Sequence, residues 1–153
     1  MTGFWDWALR AYARPGVAQA CLDLQDEHGQ CTPYLLWAAW SAQSGRSVNE
    51  AILAKGAVLA KQWEPTFITP VRTVRRALKP PFDGVTDDLR EALREQVKAV
   101  ELAAEQTLMQ SLEALTPLTP SGSVSILEAL EQATAHWTPS ASQKALMDLS
   151  QHL

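Results

Sequence analysis

Residues 32–40 read Thr32-Pro33-Tyr34-Leu35-Leu36-Trp37-Ala38-Ala39-Trp40. Threonine followed by proline is a helix start. The hydroxyl caps a free backbone N–H, and proline suits the first helical position, where its missing N–H is no loss. The seven residues that follow are apolar on every side. A helix without a polar face is buried on all sides in a protein of this kind, so this segment is expected to be the central helix, with the others arranged around it.

Upstream, Phe4, Trp5, Ala8, Leu9 and Tyr12 recur at helical spacing, which predicts a first helix over residues 3–13. Pro15-Gly16 breaks it. A second helix is expected from Val17 to His28, with Gly29 as the residue that terminates it. Downstream, Gly45 closes the central helix, and Ser47 with Glu50 has the spacing of a capping box for a helix from Val48 to Trp63. Pro65 and Pro70 bracket an expected break, followed by a short basic helix to Lys79 and a stiff turn at Pro80-Pro81 and Asp83-Gly84. Thr86 caps the longest helix, Asp87 to Leu115. Its Leu89, Leu93, Val97, Val100, Ala104, Leu108, Leu112 and Leu115 form one stripe, which suits either internal burial or a seam between two copies. Thr116 to Gly122 reads as a loop, with two further helices over Val124–His136 and Pro139–Gln151. No segment alternates as a strand does. The fold class is therefore all-α: a compact single-domain helical bundle of six to eight helices with a central apolar helix.

The chain has 153 residues, 46% of them hydrophobic and 20% charged, which is enough for a sizeable core. One helical domain spanning 1–153 is expected, with an aromatic-rich half (1–82) and an acidic Leu/Ala half (86–153). Of eleven aromatic residues only Trp137 lies beyond Phe82. The net charge of −4 is unevenly spread: residues 1–80 hold nine Lys/Arg against six Asp/Glu, and the remainder hold four against eleven. No run approaches the roughly 20 apolar residues of a membrane span, and the N-terminus lacks the pattern of a secretion signal. Cys21 and Cys31 form no metal-binding or redox pair, so reduced thiols and a cytoplasmic location are expected.

Each chemical motif has an ordinary explanation. Asp87-Asp88 resembles half of a magnesium-binding acidic box, yet acids directly after a cap are stabilised by the helix dipole. His28 beside Asp26 and Glu27 suits a helix C-terminus. Ser44, Ser47 and Cys21 have no recognisable base, and no phosphate-binding loop is present. Neither a catalytic residue, a metal nor a cofactor is assigned. The informative polar feature is Arg72, Arg75, Arg76 and Lys79, whose spacing puts four cations on one helix face. Three uses compete: pairing with the acidic helix that begins at Asp87, docking an acidic protein surface, or contacting nucleic-acid phosphates. Trp63, beside this helix, joins the four as a candidate partner-binding residue, since tryptophan is enriched at interface hot spots. Trp7 lies off the apolar face of its helix and invites the same question.

The stretch Phe4-Trp5-Asp6-Trp7-Ala8-Leu9, Tyr12, Pro15-Gly16-Val17-Ala18, Cys21-Leu22, Leu24-Gln25-Asp26 and Leu35-Leu36-Trp37 resembles the DUF2390 family of small proteobacterial proteins. The likeness extends to the basic segment Pro70–Lys79. Where that family has a polar, Asn-like residue before the Leu-Leu pair, this chain has Pro33-Tyr34. The resemblance implies a cytoplasmic bacterial protein and carries over no catalytic residue. The leading expectation is a non-enzymatic adaptor docking an acidic protein partner through the basic helix. The alternatives are a small nucleic-acid or ribonucleoprotein-binding factor, or a ligand-binding protein or enzyme with a pocket between aromatic helices. A homodimer fits the long helical stripe.

Overall fold

The computed structural model describes residues 2–46, 48–117, 124–138 and 142–153. Among these the chain forms eight α-helices: α1 (Phe4–Tyr12), α2 (Val17–His28), α3 (Thr32–Gln43), α4 (Glu50–Trp63), α5 (Thr69–Ala77), α6 (Asp87–Ala114), α7 (Ile126–Trp137) and α8 (Gln143–His152). A π-helical turn, Glu64–Ile68, joins α4 to α5. No β-strand is present among the described residues, so the protein is all-α.

The central helix is α3. Ten consecutive residues, Thr32 to Ser41, are buried, and α1, α2, α4, α6 and α7 all pack on it. Its start differs from the expectation by one residue. Cys31 is the N-cap, extended and without a side-chain cap, and Pro33 sits within the first turn, where no N–H is required. The large side chains of α3 are tied outward. Trp37 Nε1 donates to Thr116 Oγ1 at 2.8 Å, and that hydroxyl in turn donates to the Leu112 carbonyl. Tyr34 donates to the Leu53 carbonyl at 3.1 Å, and Trp40 stacks on Phe4 with ring centroids 5.4 Å apart. Buried indole and phenol groups need such partners, because an unpaired polar atom there costs about 1–3 kcal/mol. Across the bundle, α7 contributes Ala129, Leu130 and Ala133, and α8 adds Leu146 and Leu149. Leu/Ala helices from the acidic half thus close over the aromatic core.

Helix ends follow from local chemistry. Gly29 terminates α2 at φ 61°, a left-handed conformation that glycine adopts without penalty. Helix α4 begins two residues later than expected. Its cap is Asn49, whose side chain accepts from the Ile52 N–H at 2.9 Å; Glu50 is then the first helical residue and not the far end of a capping box, and Ser47 lies outside the described residues. A capping box does occur at α7, where Ser125 and Glu128 satisfy each other's backbone N–H groups. Thr86 caps α6 as expected. Most of the expected loop Thr116–Gly122 lies outside the described residues, as does Pro139, and α8 starts at Gln143 behind the cap Ser142.

The expected break at Pro65 and Pro70 is absent: backbone helicity runs from α4 through the π turn into α5. Pro65 lacks an N–H and crowds the carbonyl four residues back, and the wider π turn relieves both problems at once. Pro70 stands in the first turn of α5, where a donor is dispensable.

Helix α4 approaches α3 closely at Gly56, where an added methyl group would overlap the six-membered ring of Trp37. Gly56→Ala is therefore expected to lower stability by about 1–3 kcal/mol through overpacking, although alanine is the better helix former. A urea midpoint at or above that of the wild type would show that Trp37 can shift.

Candidate functional site

Helix α5, the turn after it and the N-terminal half of α6 form a helical hairpin. Helix α5 packs on α6 and on the π turn, and makes no comparable packing with α1–α4, α7 or α8. The 28-residue α6 is divided in its use. Leu108, Met109 and Leu112 are buried in the core, whereas Leu89, Leu93 and Val100 are 68%, 49% and 56% exposed. The expected apolar stripe is thus continuous along the helix but buried only over its C-terminal half. The rest projects as an arm.

The four cations of the basic helix separate into two pairs. Arg72 Nε donates to Glu101 Oε1 at 2.9 Å, its Nη2 donates to Glu105 at 3.2 Å, and its Nη1 lies 3.9 Å from Glu64 of the π turn. Arg75 pairs with the other oxygen of Glu101. These contacts cross from α5 to α6 and hold the base of the arm. Arg76 is on α5, but Lys79, contrary to expectation, is not: α5 ends at Ala77 and Lys79 lies in the turn beyond it. Both are exposed and have no ion pair among the described residues. The acidic partners are Glu101 and Glu105, about four and five turns beyond the start of α6. Asp87 is instead bound by Arg90, whose Nε also donates to the Leu78 carbonyl at 3.0 Å and secures the tip of the hairpin.

Burial and charge pull the network's carboxyls in opposite directions. Burial pushes Glu101 upward, but hydrogen bonds from Arg75 and Arg72 outweigh it and hold the group below the usual carboxylate range. For Glu105 burial wins over the single hydrogen bond from Arg72, and its carboxyl is raised.

Along one side of the arm runs an exposed apolar strip. Val71, Val74, Val97 and Val100 line a depression of about 300 Å³; Leu78, Phe82, Val85 and Leu89 line another of about 360 Å³. Leu93 belongs to both and joins them. Val74 and Arg76 are two residues apart on one helix, about 200° around its axis, so the strip and Arg76 face different sides of α5.

Trp63 is half-buried. Its Nε1 donates to the Ala104 carbonyl at 3.0 Å and its ring lies 4.4 Å from that of Phe67. It therefore fastens α4 to α6 beneath the arm, and Phe67 is the more exposed ring. Trp7 donates to Gln43 at 2.8 Å and is half-buried. Both cysteines are buried and in no disulfide, and burial pushes the Cys21 thiol up to about 12. A larger depression, about 440 Å³, lies beside His136 and Glu50. There the imidazole is 4.0 Å from a carboxylate that is 91% exposed, a position where water screens the pair. No cluster of three or more metal-ligating side chains occurs among the described residues.

A helical body with a projecting, partly apolar hairpin defines a class of small all-α protein without a recognisable catalytic constellation among the described residues. The family model for DUF2390, a protein of unknown function, matches residues 3–112, and the chain belongs to that family. The match extends past the basic segment and takes in the whole arm. No curated protein and no solved structure matches the chain.

The network at the base of the arm has a pH signature. Glu101 is lowered in the folded state, so its pairing stabilises above the ordinary carboxylate range and is lost as pH falls through the folded value. Glu105 has the opposite sign: ionising it costs stability as pH rises above the ordinary range. Glu101→Gln is expected to lose about 3 kcal/mol at neutral pH, the low end for breaking a buried pair, and to flatten the acid limb of stability against pH. Glu105→Gln is expected to raise neutral-pH stability. Urea titrations at several pH values read both effects, and equal losses from the two variants would refute this assignment of signs.

Proposed function

We propose that this protein is a non-enzymatic interaction module whose docking element is the arm formed by α5 and the first half of α6. The observation that supports this best is the strip of Val74, Phe82, Val85, Leu89, Leu93 and Val100, each at least 42% exposed. Scattered apolar residues are ordinary on a protein surface, but a contiguous row on one projecting element marks an interaction site. The free cations Arg76, on another side of α5, and Lys79, in the turn after it, suit a partner with an acidic surface and bias its approach. Two cations make a poor track for a nucleic-acid backbone, where binding strength follows the number of phosphates neutralised. Arg72 and Arg75 serve the reading indirectly, by fixing the arm to the body.

A photoreactive amino acid placed at Leu93 or Phe82 is expected to give protein adducts in cells. The same group at Val58, an apolar residue of α4 that is 57% exposed, is expected to give few or none. Adducts that form as readily at Val58, or fail to form at the arm, would remove this function.

A further inference from the structure

Within α6 the exposed residues Leu89, Leu93, Gln96, Val100 and Ala103 follow one another at steps of four and three. That spacing keeps a single line of side chains facing one direction, as in a helix seam built to meet another helix. Nothing along the line is charged. Most charges of this segment lie off the line and pair elsewhere: Arg90 with Asp87, Arg94 with Glu91 and Lys98 with Glu95 within the helix, and Glu101 with Arg72 and Arg75 of α5. The seam therefore offers no charge by which an unlike partner would be selected, and no like charge to repel a second copy of a chain whose net charge is −4.

Its single polar member points the same way. Gln96 is exposed between Leu93 and Val100. A carboxamide both donates and accepts, so it is satisfied by its own counterpart across a two-fold axis. Polar residues at such seams set register and orientation. An antiparallel pairing of α6 with α6 about Gln96 sets Leu93 of one copy beside Val100 of the other, and Leu89 beside Ala103. Each contact then occurs twice, as two-fold symmetry requires. Ala92 and Ala99 flank the line and let the helices approach closely.

We infer that the partner seated on the apolar strip of the arm is a second copy of this chain, and that the two hairpins pair antiparallel about Gln96 as a four-helix bundle. The inference rests on the arm being the docking element. About 25 Å of α6, with the shorter nine-residue α5 and the turn beside it, presents at most roughly 500 Å² per copy, or roughly 1,000 Å² in all, the lower bound for a specific interface. The dimer is accordingly weak and concentration-dependent. In it, Arg76 of both copies stays outside the seam, so an acidic partner meets two basic sites at once.

Sedimentation velocity of the full chain, from micromolar to several hundred micromolar, tests the inference. The weight-average mass is expected to climb from 16.8 kDa towards twice that value. Leu93→Asp, with unchanged helical circular dichroism, is expected to stay monomeric throughout. Gln96→Glu is expected to weaken the dimer at least tenfold at neutral pH and to recover at acid pH, when the paired carboxyls are protonated. Gln96→Cys is expected to form a disulfide-linked dimer under mild oxidation, with the buried Cys21 and Cys31 uninvolved. A wild type that stays monomeric, or a Leu93→Asp variant that still dimerises, would overturn the proposal. A monomer that nonetheless crosslinks another protein at Leu93 would overturn only the identity of the occupant and leave the arm as docking element.

Discussion

The indole of Trp37 is held by contacts from three directions, and through them the central helix is tied to α4 and to the end of α6. Its ring lies against the bare backbone of Gly56 on α4, it is tilted at 39° to the Tyr34 ring with centroids 5.8 Å apart, and its N–H is satisfied by Thr116 beyond the end of α6. A side chain so large is buried without loss only if its one polar atom finds an acceptor. The acceptor is a hydroxyl that also donates to Leu112, the carbonyl of an α6 turn. The central helix thereby fixes the C-terminal end of α6, and a straight helix fixed at one end has its other end placed in space. Trp63 repeats the device farther along, donating to the Ala104 carbonyl of the same helix.

Between those anchors and the tip, α6 leaves the core and acquires α5 as its companion. The pairing is electrostatic at the base, where Arg72 and Arg75 share Glu101, and apolar farther out, where Val71 and Val74 face Val97 and Val100. An arginine–glutamate cluster with little solvent around it gives direction at modest net gain, because desolvation offsets much of the attraction. Its use here is to fix how α5 is rotated against α6, which determines that Val74 and Leu93 border one groove while Arg76 faces elsewhere. The basic character of α5 and the apolar character of the arm are thus two consequences of a single rotation.

Much of this was legible in the residues. The run from Tyr34 to Trp40 announced a buried helix, Gly29 announced the end of α2, and Thr86 announced the start of α6. Pro65 and Pro70 mislead as breakers: a π turn is invisible to a periodicity of 3.6 residues, and nothing in Pro65 distinguishes a helix that stops from one that widens. The stripe on α6 was correct as a pattern, but its burial depends on where the body ends, which only the packing of Trp37 and Trp63 determines. The pairing of Arg72 with Glu101, 29 positions away, depends on the hairpin's register and leaves no local trace. The seam through Gln96 was obscured because one glutamine interrupts the apolar count.

The π turn Glu64–Ile68 also gives the protein a frame of reading in the rotational sense. Such a turn carries one residue more than the α-helix around it, and each residue in a helix advances the side chains by about 100°. Removal of Pro65, the residue that the wider turn accommodates, would let plain α-helix form and swing the whole of α5 by that angle relative to α4. Arg72 and Arg75 would then leave Glu101, and Val74 would leave its groove, with no other amino acid altered. Length in this segment is consequently constrained more tightly than identity, so that sequences sharing this architecture are expected to vary in the letters of the linker while keeping their number.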